Sequence, residues 1–239
     1  MEFLSAHWKH LLLANYSVDR TILEAFVPAK TKLDAFEGNY YLSLVAFLFD
    51  STRILKIPVP FHRVFEEVNL RFYVVPDRDP SLRAVTFLRE IVPKMAIPLI
   101  ANSLFNENYA ALPMGHRFTQ RAAGSPSDAP LSEVCYTWGR SQEHLFSARI
   151  NQPLTLPSPG SLGEFITEHY WGYAKGPKRT LEYQVKHPQW VSCLLNDYTI
   201  QVDFGKVYGE QFSFLQDLKP SNVLYALGSP VTVSFPGRL

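Results

Sequence analysis

Polar and apolar side chains alternate most regularly in one stretch of the chain, from Glu67 to Val75. In an extended backbone, successive side chains point to opposite faces. One face would then carry the polar side chains Glu67, Asn69, Arg71 and Tyr73, and the other the apolar side chains Val68, Leu70, Phe72 and Val74. The alternation predicts a β-strand with one polar face.

The polar face of this strand has two interpretations. If it lines a barrel or a cleft, it forms a binding site; if it faces water, it is the ordinary alternation of a half-exposed strand. The sequence leaves both open. The turn-forming residues Asp77–Pro80 end the strand, and they predict that Glu67–Val75 pairs antiparallel with Leu82–Val92.

The remaining patterns predict many strands and few helices. Tyr40–Phe49 has apolar residues on both faces, as is typical of a central strand, and Ala96–Asn108 has apolar residues at helical spacing. Gln120–Pro130 contains turn-forming residues that predict a hairpin tip. About nine or ten strands and three or four short helices predict a β-dominated α+β fold of the barrel or sandwich type. We expect a single domain over residues 1–239.

The composition excludes several classes of partner. With 46% hydrophobic and 19% charged residues over 239 positions, the chain has the composition of a globular protein. Its formal net charge of +1 provides no general field that attracts polyanions, so we expect no nucleic-acid partner. No apolar run reaches the roughly 18 residues of a membrane span, so we expect no membrane partner.

The cysteines and the N-terminus bear on cofactors and location. Cys135 and Cys193 are far apart and lack the Cys-x-x-Cys spacing of zinc or redox sites. We therefore predict two buried free thiols, no metal and no cofactor. Charged residues interrupt the apolar runs at the N-terminus, and no cleavage pattern of a secretory signal follows. These features predict a cytoplasmic protein.

Five segments together resemble a known family: Trp8–Leu12, Pro58–His62, Phe65–Arg71, Arg89–Pro93 and Lys186–Trp190. In this order they resemble the YqjF-like family of uncharacterised bacterial proteins, which is grouped with the acetoacetate decarboxylase-like superfamily. The resemblance covers nearly the whole chain. It implies a mixed, mostly antiparallel β-barrel or cone with a few peripheral helices and an internal cavity, and it implies no established activity.

The resemblance also suggests a catalytic lysine. The decarboxylases of the superfamily form a Schiff base between a lysine and a β-keto acid, and a neighbouring cation lowers the pKa of that lysine. Arg89-Glu90 and Pro93-Lys94 resemble the corresponding motif, which makes Lys94 the candidate nucleophile and Glu90 or Glu67 the candidate proton donor. Met95 stands where the family motif has a second lysine, so we do not expect decarboxylase activity.

The polar row suggests a ligand site instead. If the strand belongs to a closed barrel, Glu67, Asn69 and Arg71 point inward, where the arginine would bind a carboxylate or a carbonyl group. Asn106 and His116 would complete the site from the helix end and the adjoining strand. The alternatives are a cross-strand polar ladder or ion pair for the row, and backbone capping for the two single residues.

Three hypotheses follow from these residues. The first is a protein that binds a small organic acid or carbonyl compound, with a small molecule as its partner. The second is an enzyme with Schiff-base chemistry at Lys94. The third is a structural protein without a ligand, whose polar row faces solvent. A homo-oligomer is compatible with each of them.

Overall fold

Most of the chain folds into β-strands. The computed structural model describes residues 2–122, 128–176 and 179–239. In these ranges the strands are β1 (Glu2–Val18), β2 (Thr31–Leu33), β3 (Tyr40–Ile54), β4 (Ile57–Pro58), β5 (Phe65–Pro76), β6 (Ala84–Val92), β7 (Tyr109–Ala111), β8 (Met114–Gln120), β9 (Leu131–Trp138), β10 (His144–Arg149), β11 (Trp171–Lys175), β12 (Thr180–Lys186), β13 (Ser192–Leu194), β14 (Tyr198–Gln201), β15 (Asn222–Ser234) and β16 (Gly237–Arg238). The helices are α1 (Arg20–Glu24), α2 (Ala96–Leu104), α3 (Leu162–Thr167) and α4 (Phe204–Tyr208), followed by a 3-10 helix at Glu210–Gln216.

Within the described ranges, seven strands close into a ring. The order runs from β15 through β1, β3, β5, β6 and β11 to β12, and β12 pairs with β15 again. These pairings are antiparallel, apart from the parallel contact of β6 with β11. The fold is therefore a β-dominated α+β fold with a mixed, mostly antiparallel barrel or cone and a few peripheral helices. This confirms the sequence prediction.

The number of strands exceeds the predicted nine or ten. Of the sixteen strands in the described ranges, β2, β4, β7, β13 and β16 are only two or three residues long. Such segments are too short to show a period of two, because alternation needs about four residues to be recognised. Pairing with a longer neighbour, not local sequence, makes them strands.

A second sheet covers part of the outside of the ring. It contains β8, β9, β10 and β14, and its side chains Tyr136, Trp138 and Phe146 share an apolar cluster with Leu44 and Leu70 of the ring. The inner face of β3 carries a different apolar cluster. β3 is therefore buried on both faces, as the apolar run at Tyr40–Phe49 predicts.

A bulge bends the long strand β1. Its register with β3 shifts between Lys9 and Leu12, and His10 has a φ of 57° at this point. On β15, opposite Lys9, Gly228 has a φ of 86°, and a Cβ there would lie 2.0 Å from the carbonyl oxygen of Trp8. Glycine permits both this backbone conformation and this close approach. Bulges of this kind increase the local bending that closure of the sheet requires.

Helix α2 is shorter than the sequence predicts. It ends at Leu104, whereas the apolar pattern extends to Asn108, because Asn106 adopts a φ of 59° and turns the chain out of the helix. Asn102 holds this turn: its Oδ1 accepts from the backbone N of Tyr109 at 2.7 Å, and its Nδ2 donates to the Tyr109 carbonyl at 3.0 Å. β7 then pairs parallel with β6.

Both predicted hairpins contain an antiparallel strand pair. β5 and β6 form the predicted antiparallel pair, with Asn69 opposite Glu90. β8 and β9 pair antiparallel on either side of the predicted hairpin tip at Gln120–Pro130, of which residues 123–127 lie outside the described residues.

Two further observations concern the cysteines and the helices. Cys135 and Cys193 are both free and buried, as predicted. None of the helices in the described ranges combines the length and the apolar character that crossing a membrane requires.

Candidate functional site

The ring contains a partly open cavity of about 180 Å³. Much of its wall is aromatic, with contributions from Trp8, Phe47, Phe49, Phe65, Phe87 and Phe105. Polar side chains reach it from β5, from β6 and from the segment that follows α2. The cavity is thus an apolar chamber with a few polar groups, which is the usual form of a small-molecule site.

The polar row of β5 faces into this cavity. Glu67, Asn69 and Arg71 line it and are only 3%, 2% and 7% exposed. Residues directly opposite each other on neighbouring strands project from the same face, and Phe47 and Val45 lie opposite Glu67 and Asn69. β3 therefore supplies an apolar wall beside the polar row.

Both carboxylate oxygens of Glu67 accept a hydrogen bond. Asn69 Nδ2 donates to Oε1 at 2.9 Å, and Tyr109 Oη donates to Oε2 at 3.2 Å. Burial raises the pKa of Glu67 to about 7, although these two hydrogen bonds and the charge of Arg71 act in the opposite direction. Glu67 is therefore an oriented carboxyl group that changes its charge near neutral pH.

Two further carboxyl groups share the cavity. Glu90 lies opposite Asn69 on β6 and is 2% exposed. Burial, followed by repulsion from Glu107 and Glu67, raises its pKa well above the usual value. Burial also raises the pKa of Glu107 to about 8, although Tyr183 Oη donates to its Oε1 at 2.7 Å. Both shifts favour the protonated form, which keeps the three neighbouring carboxyl groups from being charged together.

Arg71 brings a positive charge into the same chamber. Its Nη2 donates to the carbonyl oxygen of Ile166 at 3.4 Å, and its guanidinium lies 5.9 Å from the ring centre of Tyr73. Among the described residues, its Nε has no hydrogen-bond partner. Arg71 is thus a buried cation with unused donor capacity, and it lines both this cavity and a smaller neighbouring pocket that contains His169 and His187.

The sequence-predicted site residues fall into two groups. Glu67, Asn69, Arg71 and Glu90 come together on the cavity, whereas three others lie elsewhere. These are Lys94, Asn106 and His116.

Each of the three outlying residues has its own surroundings. Lys94 Nζ donates to the carbonyl oxygen of Phe61. The ring of His116 lies on the outer side of β5, where its Nδ1 is 2.6 Å from Glu66 Oε1. Asn106 lies in the turn after α2, close to Gly176. In the described ranges, no lysine lines the cavity.

Among the polar residues of the cavity that sequence reasoning missed are Glu107, Tyr109 and Tyr183. The first two lie in a polar run that the pattern assigned to the end of the helix. Tyr183 had a usable signal, because Tyr183 and Val185 alternate along β12 and both line the cavity. No local pattern indicates that β12 and β7 converge on β5.

The donor set of the cavity suits an organic ligand. Protonated carboxyl groups and tyrosine hydroxyls donate hydrogen bonds to carbonyl or carboxylate oxygens, and a guanidinium binds carboxylates. Nowhere in residues 2–122, 128–176 and 179–239 do three or more His, Cys, Asp or Glu side chains form a group that could hold a metal ion.

Comparison with known proteins gives two sequence matches. A family model described as "Uncharacterized conserved protein (COG2071)", DUF2071, matches residues 5–230. The uncharacterised protein YqjF of Bacillus subtilis (strain 168) is 37% identical over 76 residues, which are 31% of this chain and 31% of that protein. The match therefore spans about a third of the curated relative.

Solved structures share the fold across nearly the whole chain. An acetoacetate decarboxylase-like enzyme from Sphingomonas wittichii RW1 gives a TM-score of 0.65 at 13% identity, over 100% of this chain and 94% of the other. Acetoacetate decarboxylase from Legionella pneumophila gives 0.66 at 5%, over 99% and 87%. The enduracididine biosynthesis enzyme MppR, complexed with pyruvate, gives 0.66 at 11%, over 100% and 91%. At these identities the likeness shows the fold alone.

Proposed function

The chain belongs to the DUF2071 family, as its resemblance to YqjF-like proteins predicts. From the geometry of its cavity, we propose that it binds a small organic acid or carbonyl compound inside the ring. One observation carries the proposal. Arg71 is only 7% exposed, and in the described part of the chain its Nε has no partner.

A buried guanidinium without an anionic partner is energetically unfavourable, because desolvation of a charge is costly. Glu67 interacts with Arg71 through its charge, but the hydrogen bonds to its two oxygens come from Asn69 and Tyr109 and not from the guanidinium. A ligand carboxylate would use the free Nε of Arg71 in a charge-assisted hydrogen bond. The protonated carboxyl groups of Glu90 and Glu107 would donate to further ligand oxygens.

The size of the cavity limits the ligand. An apolar protein cavity of about 150 Å³ is large enough to bind benzene, and the present cavity is about 180 Å³. A single ring or a short branched chain that carries one acidic group matches this space. MppR is described with bound pyruvate, which is a 2-oxo acid. A 2-oxo acid with an apolar substituent larger than methyl would suit the aromatic wall of this cavity.

Decarboxylation at Lys94 is not part of this proposal. The lysine amine donates to the carbonyl of Phe61, and the described cavity wall contains no lysine. Borohydride reduction with acetoacetate, followed by intact mass measurement, tests this directly. We expect the wild type and Lys94→Arg to give the same mass, with no adduct that depends on Lys94. The cytoplasmic location, the single domain and the homo-oligomer stay predictions.

Calorimetric titration with a series of 2-oxo acids tests the proposed function. The series is pyruvate, 2-oxobutanoate, 3-methyl-2-oxobutanoate, 3,3-dimethyl-2-oxobutanoate and benzoylformate. We expect binding that strengthens with apolar size and weakens on the order of tenfold or more in Arg71→Gln. Arg117→Gln is the control, because the Arg117 side chain is 72% exposed on the second sheet. Absence of binding by the whole series, or equal binding by Arg71→Gln, contradicts the proposal and favours a structural protein without a ligand.

A further inference from the structure

Glu67 and Glu90 are neighbours across two strands of the cavity wall. Glu90 lies directly opposite Asn69, which is two residues from Glu67 on the same face of β5. Diagonal neighbours of this kind are about 7–8 Å apart at the backbone, and both side chains line the same chamber. A compound bound between β5 and β6 would therefore contact both carboxyl groups.

The two carboxyl groups differ in how they are held. Asn69 and Tyr109 fix both oxygens of Glu67, which orients the carboxylate in an apolar chamber, as a general base requires. Glu90 is held less completely: it interacts with the Tyr109 hydroxyl, but its Oε2 has no hydrogen-bond partner in the described residues. An unsatisfied buried oxygen of this kind is available to a ligand.

Their charge states also differ. The pKa of Glu67 is raised to about 7, so a substantial fraction is ionised at neutral pH. Burial and two neighbouring carboxyl groups raise the pKa of Glu90 well above its usual value, which favours its protonated form. Two carboxyl groups with different protonation states in one apolar site are suited to act as base and acid.

We propose that the cavity catalyses enolisation of a bound carbonyl compound, with Glu67 as the general base and Glu90 as the hydrogen-bond donor to the carbonyl oxygen. This inference rests on the proposed function, because the bound carbonyl compound is the substrate. It requires no lysine, in contrast to Schiff-base chemistry.

The atoms and electrons of the step balance within the site. A C–H bond next to the carbonyl breaks, and its proton moves to a carboxylate oxygen of Glu67. The electron pair of that bond forms the C=C bond of the enol, while the carbonyl π pair moves to oxygen and takes the proton of Glu90. In the reverse step Glu67 returns a proton to carbon and Glu90 recovers its own, so no oxidant, reductant or co-reactant is consumed.

The charge of Glu67 also makes the reaction depend on pH. The other ionisable groups at the cavity are His62, Arg71, Glu90, Glu107, Tyr109 and Tyr183. Because only the ionised form of Glu67 accepts a proton, we expect the rate to rise as the pH passes about 7. Asn69 and Tyr109 act as positioning residues, since they contact Glu67 and not the reacting carbon.

Hydrogen–deuterium exchange measured by NMR tests the inference on the whole chain. The substrate is 3-methyl-2-oxobutanoate, which has one exchangeable hydrogen at C3. The control ligand is 3,3-dimethyl-2-oxobutanoate, which has none there and reports binding alone. We expect the protein to accelerate C3 exchange about 100-fold or more over buffer. Glu67→Gln should lose this acceleration and still bind the control ligand.

Two variants separate a chemical role from a folding defect. Glu67→Asp retains a carboxylate and should keep a reduced but measurable exchange rate. Glu66→Gln changes the adjacent residue, which faces the outside of the ring, and should leave the rate unchanged.

Each outcome has a defined meaning. Binding of both oxo acids without accelerated exchange overturns the enolisation and leaves the proposed function intact. Acceleration that persists in Glu67→Gln overturns the assignment of the base. Absence of binding by either oxo acid shows that the proposed function itself fails for these compounds, and the enolisation fails with it.

Discussion

Glu66 and Glu67 are consecutive on β5, yet their carboxyl groups lie on opposite sides of the sheet and their pKa values shift in opposite directions. Glu67 faces the cavity, where burial raises its pKa to about 7. Glu66 faces the outside, 2.6 Å from the ring nitrogen of His116. Burial alone would raise the pKa of Glu66 as well. The hydrogen bond with His116 and several smaller contributions together outweigh burial, so the pKa of Glu66 is lowered.

This relationship predicts opposite effects of pH on stability. The folded state holds the proton of Glu67 more tightly than the unfolded state does, so the free energy of unfolding falls as the pH rises from about 4.5 to about 7. Glu67→Gln removes this loss. Urea denaturation should therefore show that the free energy of unfolding of Glu67→Gln, relative to that of the wild type, increases by about 1–3 kcal/mol between pH 5 and pH 8.

Glu66→Gln is the matched control with the opposite sign. Its folded-state pKa is lowered, so the native carboxylate stabilises the protein above the unfolded pKa and loses this effect as the pH falls. Glu66→Gln should thus be less stable than the wild type at pH 8, and the difference should shrink toward acid pH. Parallel pH profiles for the two variants would contradict the placement of Glu67 in the cavity.

Tyr109→Phe should raise the pKa of Glu67 further. The hydroxyl donates to Glu67 Oε2 at 3.2 Å and favours the ionised form, so its removal leaves burial less opposed. Titration of the glutamate side-chain carbonyl carbons by NMR should show the midpoint of Glu67 moving upward from about 7. Tyr198→Phe, on β14 of the second sheet, should leave it in place. A midpoint unchanged by Tyr109→Phe would show that this hydrogen bond does not act on Glu67.

The alternation from Glu67 to Val75 carried enough information to predict β5, its partner β6 and the common face of Glu67, Asn69 and Arg71. It did not carry the direction of that face, because a period of two is the same whether the polar side looks into a ring or into water. Closure of the ring by β12 and β15 decides this, and that pairing joins residues about fifty positions apart.

The rest of the site depends on contacts that no local pattern encodes. Tyr109 reaches Glu67 because Asn106 turns the chain out of α2 and β7 then pairs with β6. The same turn ends the helix before its predicted boundary. Lys94 resembles a family motif by position, but its amine lies against the carbonyl of Phe61. Sequence similarity to a motif does not specify the direction of a side chain.

Residue 101 offers a way to test whether ligands occupy this cavity. Ala101 lies on α2 and lines the chamber, whereas Ser103 is exposed on the same helix. Leucine is a good helix former at either position. The same side chain can therefore be introduced inside the cavity and outside it with little difference in helix propensity.

Ala101→Leu should exclude larger ligands and spare small ones. The added isobutyl group occupies part of a chamber of only about 180 Å³, so it competes for space with an apolar substituent but not with a single methyl group. We expect the Kd of benzoylformate to rise on the order of tenfold, which corresponds to about 1.4 kcal/mol, and that of pyruvate to change little. Ser103→Leu should bind both compounds as the wild type does, and thermal melts should show that both variants are folded. If Ala101→Leu binds benzoylformate with wild-type affinity, the ligand lies outside the ring, and the roles of Arg71, Glu67 and Glu90 in binding must be rejected.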